Sequence, residues 1–328
     1  MTALLSVRDL RTTFRNRTGV IRAVDGVSFD LAEGETLGIV GESGSGKSVM
    51  AMSLLRLIDE PGRIEPGSAI AYRGRDLMAL SPAALRRIRG AEIGMVFQDP
   101  GASLNPVLKV GVQIAETIRA HLPLTRGEAR TRAVTLLEQV GVPDPELRVD
   151  AYPHELSGGL QQRVMLAIAL SCDPSVLIAD EPTTALDVTV QAQILELLAD
   201  VTRRRRMATI LISHDLGVVA RLADRIAVMY GGQLVEHAAA PELFAAPKHP
   251  YTEALLAAAP RVGRSVERLA AIPGSVPSAA QWPTGCRFHP RCRHAWERCR
   301  VEAPGMLHAG TRHDTRCWLV DEPTRRSS

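Results

Sequence analysis

No apolar run in the 328 residues approaches the ~18 needed to span a bilayer. Any membrane role must therefore come through a partner. Met1 to Asp9 has neither the basic start nor the long apolar stretch of a signal peptide, so a cytoplasmic location is expected. Basic charge is also missing from the body of the chain. From Gln281 onward nine Arg face five acids, a net +4 within an overall +3, which leaves the preceding residues at about −1. That balance argues against a nucleic-acid grip. The five cysteines include no C-x₂₋₄-C pair of the kind zinc modules use.

What is present is an ordinary globular mixture, 45% hydrophobic and 23% charged, long enough for about two domains. All three Trp and four of the five Cys lie after Gln281. This shift in composition marks a separate C-terminal module.

The chain is organised around Gly41-Glu42-Ser43-Gly44-Ser45-Gly46-Lys47-Ser48. It fits G-x-x-x-x-G-K-[ST], with a strand-like Thr36–Val40 before it and a helix-like Val49–Leu55 after it. Gly41, Gly44 and Gly46 let successive N–H groups converge on phosphate oxygens at a helix N-terminus. Lys47 is then placed to reach the β- and γ-phosphates, and the Ser48 hydroxyl to ligate Mg²⁺. This loop is expected to bind a nucleoside triphosphate.

Residues 4–31 read as two strands around a polar turn, with Phe14 near the end of the first. An aromatic there either stacks on a base or fills the core. Residues 69–77 read as a hairpin about Gly74, and Ile93–Phe97 as a short buried strand ending at Gln98. From about Val107 to Val140 the pattern is helical, an insertion between nucleotide-binding strands. At its far end Ser157-Gly158-Gly159 opens another helix, with Ser157 expected to cap it and the glycines to leave N–H groups bare for a second anion.

Val176-Leu177-Ile178-Ala179-Asp180-Glu181 is a buried parallel strand delivering two acids. Asp180 suits Mg²⁺ and Glu181 suits polarising the attacking water. Ala185-Leu186-Asp187 and a helix over 190–201 follow. Arg203–Arg206 reads as a solvated helix end complementing the dipole. Thr209–Ser213 is another buried strand, ending at His214, a candidate γ-phosphate contact. Cys172 reads as core filler.

These pieces, in this order, resemble an ATP-binding-cassette (ABC) ATPase. The phosphate loop is its Walker A, Gln98 its glutamine loop and LSGGL at 156–160 its signature. Walker B spans 176–180, with the catalytic glutamate at 181, the aspartate loop at 185–187 and the switch histidine at 214. Leu160 stands where Gln is common, while Ser-Gly-Gly is intact. The stretches GVSFDLAEGETLGIVGESGSGKS, IRGAEIGMVFQDPGASLNPVLKVGVQI, YPHELSGGLQQRVMLAIAL and GCRFHPRCRHAWERC are similar to dipeptide/oligopeptide importer ATP-binding subunits, a pattern shared by nickel and glutathione importers.

The resemblance implies an α/β fold: an ABC-type P-loop core over 1–240, a helical subdomain over about 99–170, and a Cys-rich C-terminal module over 241–328. It implies that Phe14 stacks on adenine and that Gly41, Ser43, Gly44, Ser45, Gly46, Lys47, Ser48 and Val49 contact ATP. Ser48, Gln98 and Asp180 would serve Mg²⁺, Glu181 would be the general base, and His214 would hold the γ-phosphate. Ser157 and Gly159 would face the nucleotide of a second cassette, so a head-to-tail pairing with a related ATPase subunit is expected, and Gly158 and Asp187 would also contact nucleotide. Residues 99–118 would meet two membrane permeases on the cytoplasmic face, served by a substrate-binding protein, with no role for nucleic acid.

Cys286, Cys292, Cys299 and Cys317 are separated by five, six and seventeen residues. Spacing alone leaves zinc, free thiols and an iron–sulfur group open; disulfides do not suit the cytosol. The importer resemblance implies a [4Fe–4S] cluster on these four, although Arg293 stands where Pro is expected. His289, His294, His308 and His313 are alternative ligands. A chromosome-maintenance ATPase would need a long coiled coil before the signature, a translation-type protein two cassettes, and a pure binding module no Glu181.

Overall fold

The computed structural model describes residues 3–17, 19–184, 186–258 and 272–327. Met1, Thr2, Thr18 in the first turn and Ala185 of the aspartate loop lie outside them. In chain order the strands are β1 (Leu5–Asn16), β2 (Gly19–Leu31), β3 (Thr36–Val40), β4 (Gly62–Ile64), β5 (Ala69–Tyr72), β6 (Arg75–Asp76), β7 (Ile93–Val96), β8 (Val176–Asp180), β9 (Ala208–Ser213), β10 (Arg225–Tyr230), β11 (Gln233–Ala239), β12 (Leu307–Gly310) and β13 (His313–Thr315). The helices are α1 (Lys47–Leu54), α2 (Pro82–Ile88), α3 (Pro100–Ser103), α4 (Val110–His121), α5 (Arg126–Gln139), α6 (Pro145–Arg148), α7 (Gly158–Ala169), α8 (Val188–Arg205), α9 (Leu216–Leu222), α10 (Ala240–Ala245), α11 (Pro250–Ala258) and α12 (Glu297–Val301). No helix among the described residues is long and apolar enough to cross a membrane.

The chain divides into two bodies. The first comprises residues 1–31, 36–78 and 212–328. In it, β2-β1-β5-β6 form an antiparallel sheet with β4 also on β1. A second set of strands runs β12-β13-β11-β10-β3, with β10 parallel to β3 (Ile226 opposite Gly38) and the other pairs antiparallel. The apolar Leu37–Val40 run is buried throughout. Burial of both faces is why it lacks strand-like alternation.

The second body holds residues 32–35 and 79–211. Its strands are β7 and β8, parallel to each other, and the first four residues of β9 beside β8. Val176–Asp180 is buried at every position. The helical insertion is α3 to α7, packed on Ile114, Ile118, Ala133, Leu137 and Val164, all fully buried. α5 begins with a reciprocal capping box between Thr125 and Glu128.

Candidate nucleotide and cysteine sites

The phosphate loop leaves β3 at Gly41. Its φ is +156°, and a Cβ there would lie 2.2 Å from the Met229 carbonyl oxygen. Gly46, left-handed at φ +101°, is the N-cap of α1, and a Cβ would lie 2.3 Å from the Ala23 carbonyl. Glycine is required at both points by sterics as well as by torsion. Gly46 supplies no side-chain cap, so the N-terminus of α1 points its dipole toward the loop where an anion would bind. Lys47 is only 5% exposed and donates to the carbonyls of Gly41 (2.7 Å) and Glu42 (3.0 Å). Those bonds bring a cation back over the loop. Ser45 is buried and Ser48 and Val49 half-buried, while Ser43 and Gly44 are exposed at the rim.

Phe14 is half-buried on β1, opposite Gly62 of β4. A Cβ on Gly62 would lie 2.5 Å from the Phe14 ring, so one edge of the aromatic packs against bare backbone. His214 follows the end of β9 and is exposed; Asp215 beside it caps α9 through the N–H groups of Gly217 and Val218.

In the second body Asp180 ends β8 almost fully buried. Glu181 follows in the left-handed region at φ +47°, which costs a non-glycine residue of order 1 kcal/mol or more. Its Oε2 accepts from Gln98 Nε2 at 2.9 Å and from Thr184 Oγ1 at 2.9 Å. The strained turn and the two donors fix one carboxylate oxygen at the end of the strand. Gln98 itself stands at the end of β7, where Asp99 caps α3.

Ser157 is the N-cap residue of α7 but its side chain makes no capping bond, contrary to the expectation that it would. Ser157 and Gly158 are exposed and Gly159 half-buried. A Cβ on Gly159 would lie 2.6 Å from Val190, so glycine permits α7 to approach α8. Asp187 caps α8, accepting from the N–H groups of Thr189 and Val190 at 3.0 Å each.

The four tail cysteines, Cys286, Cys292, Cys299 and Cys317, line one pocket in the first body, together with Phe288, Trp296 and Trp318. Gly285 (φ +69°) makes this possible, since a Cβ would lie 2.4 Å from the Cys299 carbonyl. All are free thiols. Burial pushes the Cys286 and Cys292 thiols up to about 11 and Cys317 up to about 12, and neighbouring thiols add to each shift. Cys299 is raised as well, again chiefly by burial. Among the described residues, no three of His, Cys, Asp and Glu are placed to hold a metal ion. His249, His289 and His294 line the same pocket, while His313 instead bonds Glu236 at 2.6 Å and His308 bonds Asp314. Cys172 is half-buried rather than core filler, its thiol raised by burial.

Three features escaped the sequence reading. Thr184 holds Glu181. Glu236, fully buried, accepts from His313 and from the N–H groups of Lys248 and His249. Arg291 pairs with Glu42 of the phosphate loop at 2.7 Å. Only the last left a signal, an arginine beside Cys292, and nothing local named its partner 249 residues away.

The ABC transporter family profile matches residues 24–184, and that for the C-terminal region of oligopeptide/dipeptide transporters matches 235–299. The chain is 49% identical over 315 residues to the dipeptide transport ATP-binding protein DppD of Escherichia coli (strain K12), covering 96% of each. It is 48% identical to the oligopeptide transport ATP-binding protein AppD of Bacillus subtilis (strain 168), covering 98% of each. Among solved structures it resembles the dimeric post-hydrolysis state of the ATP-binding cassette MJ0796 bound to ADP and Pi. The TM-score is 0.65 at 26% identity, over 72% of this chain and 98% of that one. It also resembles cbiO1 of Clostridium perfringens, part of the ABC transporter complex cbiONQ, with TM-score 0.63 at 27% identity over 75% and 92%.

Proposed function

The chain belongs to the ATP-binding proteins of the dipeptide/oligopeptide ABC transporters, and from that premise we propose that it hydrolyses ATP to power peptide import across the cytoplasmic membrane. The observation that carries the catalytic reading is the Glu181 carboxylate, held at the end of a buried strand by Gln98 and Thr184. A base oriented by two donors is what activation of a water requires. Lys47 and the N-terminus of α1 take the phosphates, with Gly41, Ser43, Gly44, Ser45, Gly46 and Val49 shaping the loop. Phe14 stacks on the adenine and His214 holds the γ-phosphate. Ser48, Asp180 and Gln98 would hold Mg²⁺, which supplies charge neutralisation on the phosphate oxygens. The nickel and glutathione importers remain the second substrate reading.

Ser157, Gly158 and Gly159 serve the ATP of a related ATPase subunit, as does Asp187 at its loop. Exposure of the first two and the lack of an internal cap at Ser157 support this pairing. Residues 99–118 dock on two permeases, themselves fed by a substrate-binding protein. Val107 and Val112, both exposed, lie in this stretch, and exposed Phe97 lies just before it. The protein would sit peripherally on the cytoplasmic face of the membrane. Residues 1–240 form the nucleotide-binding domain and 241–328 the C-terminal module.

For the C-terminal module we propose a [4Fe–4S] cluster on Cys286, Cys292, Cys299 and Cys317. Four soft donors meet at one pocket, and burial keeps them protonated until a cationic group replaces their protons. Anaerobically purified protein should carry about four irons and four sulfides per chain. Zinc in their place, or no metal, overturns the cluster.

For the ATPase, Glu181→Gln should retain ATP binding and lose turnover by ~10²-fold or more. Near-normal hydrolysis would remove Glu181 from the role.

A further inference from the structure

Glu42, the second residue of the phosphate loop, has every polar group engaged. Its N–H donates to Tyr251 Oη at 2.8 Å. Its carbonyl accepts from Lys47 Nζ at 3.0 Å and from Ser45 N–H at 3.2 Å. Its carboxylate takes Arg291 Nη1 at 2.7 Å and Nη2 at 3.0 Å. The Arg291 side chain is 4% exposed. It is itself anchored on the carbonyls of Pro273 and Gly274 and flanked by the rings of Tyr230 and Phe288. All of this lies within the first body. A forked guanidinium–carboxylate pair fixes orientation as well as distance, and the Arg291 side chain is buried while Glu42 is partly exposed.

We propose that Arg291 and Tyr251 are positioning residues for ATP: they clamp the Glu42 peptide so that the loop keeps the curvature that receives the phosphates. The proposal rests on the ATP reading of this loop. It assigns the segment that carries the cysteines a direct mechanical hold on nucleotide affinity. Arg291 precedes Cys292, and Phe288 beside it lines the cysteine pocket.

The test uses the full-length chain with a fluorescent ATP analogue and Mg²⁺, alongside steady-state ATPase kinetics. Arg291→Ala and Glu42→Gln should each weaken binding about tenfold, raising KM with kcat within about threefold. Arg291→Lys, which keeps charge but not the fork, should recover only part of the loss. The double variant should bind no worse than either single one, because both break the same clamp. Unchanged affinity in Arg291→Ala overturns the proposal, and so do losses that multiply in the double variant. Tighter binding by Glu42→Gln also overturns it, since Arg291 would then be acting as a bare cation toward phosphate. If Arg291→Ala does not fold, Glu42→Gln and Tyr251→Phe, which preserve volume, decide the matter by the same affinities. Failure of the ATP reading itself would appear in the unmodified chain as no binding at all.

Discussion

At the scale of single residues, His249 shows how burial sets chemistry. It is 1% exposed, and its Nδ1 accepts the Tyr251 N–H at 3.0 Å. Burial pushes its pKa down to about 4, against the partial support of nearby Glu236. In the unfolded chain the value is ~6.5. Between these values the unfolded state binds more protons, so the stabilisation is complete above pH ~6.5 and is lost as pH falls toward 4. The contribution is roughly 3 kcal/mol. Urea midpoints should therefore drop between pH 7 and pH 5, and His249→Gln should flatten that part of the profile. A profile unchanged by the substitution would show that His249 is not the titrating group. Glu236 acts in the same sense at lower pH. Burial opposes its charge, yet bonds from His313 and Lys248 N–H hold its carboxyl below the usual range.

At the scale of elements, capping and pairing decide where helices begin and how they are tied. Asp187 caps α8, so it has a structural duty beside the contact proposed with a second subunit. Asp187→Ala should cost about 1 kcal/mol in chemical denaturation, and Asp187→Asn or Ser should restore most of it. If Asn restores stability but not ATPase activity in the assembled complex, the two duties are separate. The arginine run at the end of α8 divides in a way its sequence does not show. Arg203 and Arg204 are exposed beside Asp200, as a solvated helix end should be. Arg205 instead folds back on Asp173 at 2.7 Å and Gln139 at 2.9 Å. Asp173 also receives Arg132 at 2.6 Å. One aspartate thus ties α8 to α5, a tie worth little per exposed pair but fixed by its geometry.

At the scale of the whole molecule, each of the two bodies carries part of the site proposed for ATP. The first has the phosphate loop and the tail cysteines, the second Glu181, Gln98 and the Ser-Gly-Gly turn. Ser157 is exposed and makes no capping bond, so a change there disturbs little inside the chain. Ser157→Arg should leave ATP affinity and thermal stability of the isolated chain unchanged while suppressing hydrolysis by the assembled transporter at least ~10²-fold. Equal loss of ATP binding in the isolated chain would place Ser157 in its own nucleotide site instead of a partner's.

The sequence by itself determined the features whose chemistry lies in consecutive residues. The phosphate loop at 41–48, the acids ending β8 and the glycine pair opening α7 are readable because a loop, a strand end and a helix cap are each built from neighbours in the chain. Tertiary structure alone decided which distant groups meet. Gln98 reaches Glu181 across 83 residues and Arg291 reaches Glu42 across 249. The four cysteines, which spacing alone could not pair and only the resemblance grouped, converge on one pocket. Closing such long loops costs entropy that only the packed core repays, so no local pattern of residues can announce these contacts. The same holds for burial: His249 reads as an ordinary histidine, and its charge is decided by the residues that close over it.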